Sequence, residues 1–534
     1  PERPFFLYLA FGAMHAPHQA PQRYLDKYRG KFDSGWDVAR EEWFARQKEM
    51  GIVPPETKLA PRNQGVRPWT ELSANERAFA ARLQEAFAAM LDHTDHQIGR
   101  LVESLKSIGQ WENTLFILLS DNGASQEGGA TGVFDEMKWF NGIPEDVDAA
   151  VKRLDDIGGP ESHCNIPWGW AQVGNTPLKW YKQNTHGGGV RDPLIVHFPG
   201  GLSSPGAICP QFCHAVDIAP TVLDVIGIPA PEVVAGVPQM PVHGVSLKPV
   251  FENPAAVIER DSQFFEMLGH RGIWKDGWKA VTRHKPGTPF DEDQWELYHL
   301  AKDFSEADDL AAQEPERLKE LVDLWWKEAE RQGALPLDDR NAIGLFAASR
   351  RAGMPTSRDL FVYYPPVSHI VSDACPPVGR GWRMTVDMLH PEGGGDGALV
   401  SRGSINSGFI LYVKSGRLHF DYNYFHEHTR VVSGEALSSG SRKVEVVISR
   451  RADGGGDVSL LVDGVEVASG LIPRLVFLIS SLGMDIGRSM APVNRDYVAP
   501  FAYPGSIRTV TFAVPPSQPR GEAVAHVRAV ESQQ

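Results

Sequence analysis

The stretch "PFFLYLAF" at positions 4–11 is an almost unbroken row of apolar and aromatic residues. Such a row predicts a strand covered on both faces. "NTLFILLS" at 113–120 and "PLIVHFPG" at 193–200 read the same way. Between the first two runs the apolar period changes. Phe79, Leu83, Phe87, Met90, Ile98, Leu101, Val102 and Leu105 recur at helical spacings and predict a helix over 74–107. Ser73 and Glu76 form a capping box ahead of it, and Gly109 ends it. A further helix follows Asp217 in "IAPTVLDVIGI", where Pro220 falls in the first turn, a tolerated place for proline. Doubly apolar strands alternating with helices predict an α/β fold, doubly wound, with a parallel sheet between helices. Ligands gather at the carboxyl ends of the strands in such folds. His15 and Asp121 both stand directly after predicted strands.

From about residue 262 the texture changes. "FFEMLGHRGIWKDGWKAVTRH" and "QWELYHL" are short, tryptophan-rich and punctuated by turns, which predicts a small antiparallel sheet. An amphipathic helix over 314–332 follows, with Leu318, Leu321, Leu324, Trp325 and Ala329 on its buried side and Gly333 at its end. After roughly 355 the pattern is all-β. "GFILYVKSGRLHFDYNYF" reads as two strands around Ser415-Gly416, and "VSLLVDGVEVASG" as a hairpin at Asp463-Gly464. The resulting division is an α/β domain over 1–261, a small antiparallel subdomain with a helix over 262–345, a β-sandwich over 355–516 and a disordered tail over 517–534. A length of 534 residues suits two or three domains.

The net charge of −14, with no dense basic patch, argues against nucleic acid as a partner. No apolar stretch reaches the roughly 18 residues of a membrane helix. Cys164, Cys209, Cys213 and Cys375 do not form a disulfide framework, and "CPQFC" has no second Cys/His pair near it at zinc spacing. The chain opens on Pro1, with no Met or signal peptide, almost at once into a predicted strand. We expect from this a sequence cut from a longer one, with localisation left open.

Asp121-Asn122, in "LLSDNGASQEGG", offers a carboxylate and an amide carbonyl, hard oxygens suited to Ca²⁺ or Mg²⁺. By itself the pair reads more readily as an Asx-type turn, since "DNG" is a turn tripeptide. Four blocks in order change its meaning: "PFFLYLAFGAMHAPHQAP", "SDNGASQEGG", "NTPLKWYKQNTHGGGVRDPLIVHFPG" and "HAVDIAPTVLDVIGIP". Together they resemble the type I sulfatases of the alkaline phosphatase superfamily, bacterial arylsulfatases above all. "DGWKAVTRH" and "DQWELYHLAKDFSEADDLA" resemble the smaller carboxy-terminal subdomain of that family, so the resemblance covers about 1–345.

The resemblance implies hydrolysis of sulfate monoesters, on a small molecule or a glycan. It implies that Asp121 and Asn122 are two of four protein ligands of a Ca²⁺ ion, with Mg²⁺ the lesser alternative. His15 matches the histidine that contacts the sulfate ester. Lys182 matches the lysine on the same sulfate, and Lys179, three residues away, is its rival. The carboxy-terminal sandwich resembles concanavalin- or laminin-G-like modules; "FDYNYFHEH" at 420–428 reads either as core or as a sugar-stacking surface.

Two departures qualify this. The family's nucleophile, a formylglycine made within Cys/Ser-x-Pro/Ala-x-Arg, has no match; "CPPVGR" comes nearest, with its Arg one place late. We expect it, with two further aspartate ligands, outside this chain, and the chain alone to be inactive. Gly187 stands where the family usually has Glu, removing a carboxylate that could orient neighbours. Alternatives are a phosphodiesterase or phosphonate-ester hydrolase of the same superfamily, and a non-catalytic protein that binds sulfated glycans. "HGGG" also suggests an esterase oxyanion hole, but no G-x-S-x-G elbow accompanies it.

Overall fold

The computed structural model describes residues 3–340, 358–365 and 367–515. The expected tail over 517–534 lies outside the described residues. By their contacts, the described residues within 1–15, 20–126 and 166–342 make one unit, and those within 16–19, 127–165 and 343–534 the other.

The first unit is mixed α/β. Its longest helix, Ala74–Ser107, has both halves of the capping box: Glu76 N–H donates to Ser73 Oγ, and the Glu76 carboxylate accepts the Ser73 N–H. Its stripe is fully buried at Phe79, Leu83 and Leu105 and half-buried at Phe87, Met90, Ile98, Leu101 and Val102. Trp36 of the helix Trp36–Glu49 meets Trp69 and Trp170 edge to face, locking that helix to Trp168–Gly174. The helix Ile218–Ile226 ends at Gly227 in the left-handed conformation.

Two strand expectations are corrected. Residues 4–11 form no strand, and Phe6 and Tyr8 are each 82% exposed. Apolar pattern predicts burial only if a neighbour bonds the strand's backbone, and among the described residues none does. The strands Phe116–Leu119 and Leu194–His197 do form, but they pair antiparallel, Phe116 opposite His197 and Leu119 opposite Leu194. Continuous apolar pattern carries no information about strand direction, and the covering of both faces that it predicts is only partial here, with Leu119 41% and Ile195 55% exposed.

The small sheet forms as expected from Gln263–Met267, His270–Lys275, Trp278–Thr282 and Trp295–His299, all antiparallel neighbours in sequence order. The helix Pro315–Arg331 packs Leu321, Trp325 and Ala329 onto it.

Among the described residues, the second unit from 358 onward is built of β-strands, with one short 3-10 turn at Ser372–Ala374. Two six-stranded antiparallel sheets supply its layers. Strand Gly381–His390 has the alternation of a half-buried strand, with Trp382, Met384, Val386 and Met388 inward. Both predicted turns are found: Ser415 and Gly416 lie at φ 51° and 72°, Asp463 and Gly464 at 50° and 82°, as two-residue hairpins require. Phe420 and Tyr422 of "FDYNYFHEH" are core residues, 0% and 1% exposed. Residues 127–165 were read as part of the α/β domain; they group with the sandwich, where Met137 joins the core and the Asn141 amide bonds the backbone of Phe477 and Leu478.

Candidate functional site

The site is built on two loops. The first follows the strand Phe116–Leu119 and carries Asp121, Asn122 and Gly123. The second runs from Asn175 to Gly189. Backbone and amide groups stitch them together. Gly123 N–H reaches Gly189 O at 3.4 Å, and Lys182 N–H reaches Ala124 O at 3.1 Å. Asn175 Oδ1 accepts Ala124 N–H at 2.9 Å, and its Nδ2 donates to Trp180 O at 3.0 Å. Position 123 must be glycine: a Cβ there would stand 1.7 Å from Gly188 O.

This arrangement brings Lys182 to His15. Lys182 Nζ lies 3.1 Å from His15 Nε2, although the two are 167 residues apart. His15 and Asp121 are exposed, and Asn122 and Lys182 half-buried, so the groups are reachable from solvent. The Asp192 carboxyl is pushed up to about 7 by burial and then by the charge of Asp121, so these two acids share one region. Asp121 and Asn122 have the right donor chemistry for Ca²⁺. Their number is too small, because among the described residues no three His, Cys, Asp or Glu side chains form a metal-holding group and Ca²⁺ takes about six to eight oxygens.

Lys179 takes a different course. Its Nζ donates to Glu296 Oε2 at 3.1 Å and to Tyr298 Oη at 2.7 Å. Glu296 also takes the Tyr298 hydroxyl and pairs with His186 Nε2 at 3.1 Å. Burial alone would raise the Glu296 carboxyl; the bonds and charges of His186, Tyr298 and Lys179 outweigh it and hold the group well below the usual carboxylate range. A helix would put Lys179 and Lys182 on one face. The segment is instead a run of turns, with Trp180 and Gln183 at φ 63° and 73°, and the two lysines diverge.

The place of Gly187 is answered by a distant residue. Gly187 N–H donates to Glu306 Oε2 at 2.8 Å, and a Cβ at 187 would lie 3.5 Å from the Glu306 carboxyl. Lys279 Nζ holds the same carboxylate at 2.6 Å, with the two side chains 4% and 2% exposed. Burial would raise the Glu306 carboxyl, but Lys279 and His186 keep it ionised, below the ordinary value. A carboxylate therefore stands beside position 187 although the chain carries no side chain there. Sequence reasoning missed Glu306, Lys279 and Glu296. The one available signal was the anomalous glycine itself, which leaves room for a carboxylate from elsewhere.

Two family models match the chain: the sulfatase model over residues 1–228, and the carboxy-terminal model of N-sulphoglucosamine sulphohydrolase over 178–331. An uncharacterized sulfatase of Schizosaccharomyces pombe is 35% identical over 359 residues, covering 65% of this chain and 62% of that protein. An arylsulfatase of Klebsiella aerogenes is 31% identical over 250 residues, covering 47% of this chain and 52% of the relative. An arylsulfatase of Clostridium perfringens is 24% identical over 339 residues, covering 60% and 52%. The chain thus spans between half and two thirds of the length of these relatives.

Proposed function

Because residues 1–331 of this chain belong to the type I sulfatases, we propose that the protein hydrolyses sulfuric esters. In this reading His15 and Lys182 act on the sulfate group. The observation that carries it is the 3.1 Å approach of Lys182 to His15 beside the Asp121–Asn122 turn. An ammonium and an imidazole nitrogen meet there at hydrogen-bond distance, within reach of solvent.

The chemistry follows from the residues. A sulfate monoester is an anion, and its SO₃ group spreads charge over its oxygens as the ester bond breaks. The Lys182 ammonium, fixed by its backbone bond to Ala124, holds those oxygens and stabilises the charge. His15, on an exposed turn, hydrogen-bonds the ester oxygen and delivers a proton to it as the alcohol or phenol departs. Water supplies the oxygen that completes the sulfate. The finer reading is that a Ca²⁺ ion takes Asp121 and Asn122 among its ligands, with the remaining ligands and a formylglycine nucleophile supplied from beyond the described residues.

The test is hydrolysis of 4-nitrophenyl sulfate by the full-length gene product, with and without a chelator, beside the matching phosphate monoester and diester. Faster sulfate turnover, lost in His15→Ala and Lys182→Ala, is expected; faster phosphate ester turnover would transfer the site to the phosphodiesterase alternative. The isolated 534-residue chain is expected to be inactive, and turnover by it would overturn the placement of the nucleophile elsewhere.

A further inference from the structure

Arg283 follows the strand Trp278–Thr282 of the small sheet and is exposed to solvent. Two contacts fix its guanidinium. Its Nε–H donates to Asn184 Oδ1 at 3.1 Å, and its Cζ lies 3.6 Å from the centroid of the Trp180 ring. Both partners belong to the loop that carries Lys182. Asn184 is only 2% exposed, and its Nδ2 donates to the carbonyls of Tyr181 at 3.2 Å and Lys182 at 3.3 Å. One buried amide therefore ties Arg283 to the backbone of the residue that meets His15. Trp180 is held in turn: its N–H donates to Asn63 Oδ1 at 3.1 Å, and its carbonyl accepts from Asn175 Nδ2 at 3.0 Å.

The charge of Arg283 is left over. Among the described residues no carboxylate bonds it, and its side chain makes its hydrogen bond through Nε alone. Glu296 acts on it through space, but that carboxylate is already taken by Lys179, His186 and Tyr298. The His270 ring beside it adds no charge, because burial and then the positive charge of Arg283 lower it to about 3. An exposed arginine ordinarily loses much rotamer freedom when it grips a ligand. Here the stacking and the Asn184 bond have already ordered the stem, which is the preorganisation that favours binding. With Nε occupied, the Nη1 and Nη2 groups remain to reach two oxygens of one carboxylate or sulfate.

We propose, resting on the sulfatase reading of Lys182 and His15, that Arg283 determines specificity: its Nη1–Nη2 end binds a second anionic group on the substrate that carries the ester sulfate. The substrate class is then a sugar with two acidic substituents, the second a carboxylate or another sulfate. The full-length gene product is assayed for sulfate release from 4-nitrophenyl sulfate, glucose 6-sulfate, glucose 3,6-disulfate and glucuronic acid 3-sulfate. Specificity is the ratio of kcat/KM values. The wild type should prefer at least one doubly anionic sugar to glucose 6-sulfate by tenfold or more, chiefly through KM. Preference for the disulfate alone assigns the second group to sulfate, and preference for the glucuronate alone assigns it to carboxylate. Arg283→Met should lower the preferred sugar's kcat/KM, relative to 4-nitrophenyl sulfate, at least tenfold. Arg283→Lys keeps the charge without the planar fork and should lower it at least threefold; it decides the matter if Arg283→Met does not fold. Equal rates on singly and doubly anionic sugars, or an undiminished preference in these variants, would overturn the proposal. Failure of the sulfatase reading looks different: the wild type then releases sulfate from none of the four. Calorimetry with the same three sugars on the full-length protein reads Arg283 without turnover. Tighter binding of a doubly anionic sugar, lost in Arg283→Met, is expected there, and its absence would equally overturn the proposal.

Discussion

Replacing Glu306 by alanine should be among the most damaging single changes in the first unit. Its carboxylate is 2.6 Å from Lys279 Nζ and 2.8 Å from Gly187 N, and both side chains of the pair are almost fully buried. Removing one partner of a buried ion pair leaves the other charge uncompensated, at about 3–5 kcal/mol. The stranded Gly187 N–H adds about 1–3 kcal/mol. The two terms overlap, since one relaxation serves both, and we expect about 4 kcal/mol in all. Lys279→Met should cost less, because Glu306 keeps its bond to Gly187. The double variant Lys279→Met/Glu306→Leu should be milder than Glu306→Ala, since no charge is then left buried. Glu306→Gln keeps an acceptor for Gly187 and should protect that amide from hydrogen exchange better than alanine does. Urea unfolding followed by tryptophan fluorescence reads the right unit, because of 14 tryptophans only Trp139 and Trp382 lie in the other. A Glu306→Ala loss below about 1 kcal/mol, or a double variant as costly as the sum of the singles, would refute the view that this pair anchors the loop.

Three further outcomes follow. Lys179→Met should lower Tm, because it strips a cation from the buried Glu296–His186 group; Lys182→Met should leave Tm nearly unchanged and cut full-length turnover by about 10²–10³-fold. Gly123→Ala forces a methyl against Gly188 O and should cost about 1–3 kcal/mol, separating the Asp121 turn from the Lys182 loop and lowering activity. In the second unit, Asp135 is 1% exposed and its carboxyl is pushed up to about 7, chiefly by burial. A carboxyl raised in the folded state contributes stability below its unfolded value near 4 and loses it as pH rises through the folded one. Melting of that unit should therefore weaken from about pH 4 to 7 by up to about 4 kcal/mol. Asp135→Asn, which keeps the cap to Met137 N–H, should flatten that dependence; an unchanged slope would exclude Asp135 as its source.

Local chemistry was legible wherever it is set within a few residues. The capping box at Ser73 and Glu76, the hairpins at Ser415-Gly416 and Asp463-Gly464, and the amphipathic Pro315–Arg331 helix all follow from periods and turn residues. Strand direction was not legible, because a strand's apolar pattern is the same whichever way its neighbour runs; hence the antiparallel pairing at Phe116–Leu119. The same limit left Lys179 and Lys182 unresolved. Their spacing suggests one face only for a helix, and left-handed residues at Trp180 and Gln183 take that premise away.

The sequence by itself determined the sulfatase family match and the two-part α/β and all-β composition; Asp121, Asn122, His15 and Lys182 it named only as the residues that resemblance implies. These rest on order and local pattern, which a linear chain records in full. Only the tertiary structure decided that Lys182 rather than Lys179 faces His15, and that Glu306 stands beside Gly187 with Lys279 on the same carboxylate. Each of these depends on groups far apart in the chain meeting at hydrogen-bond range, 119 residues apart for Gly187 and Glu306. Whether a buried charge is paired is a property of that meeting, and no single stretch of sequence contains it.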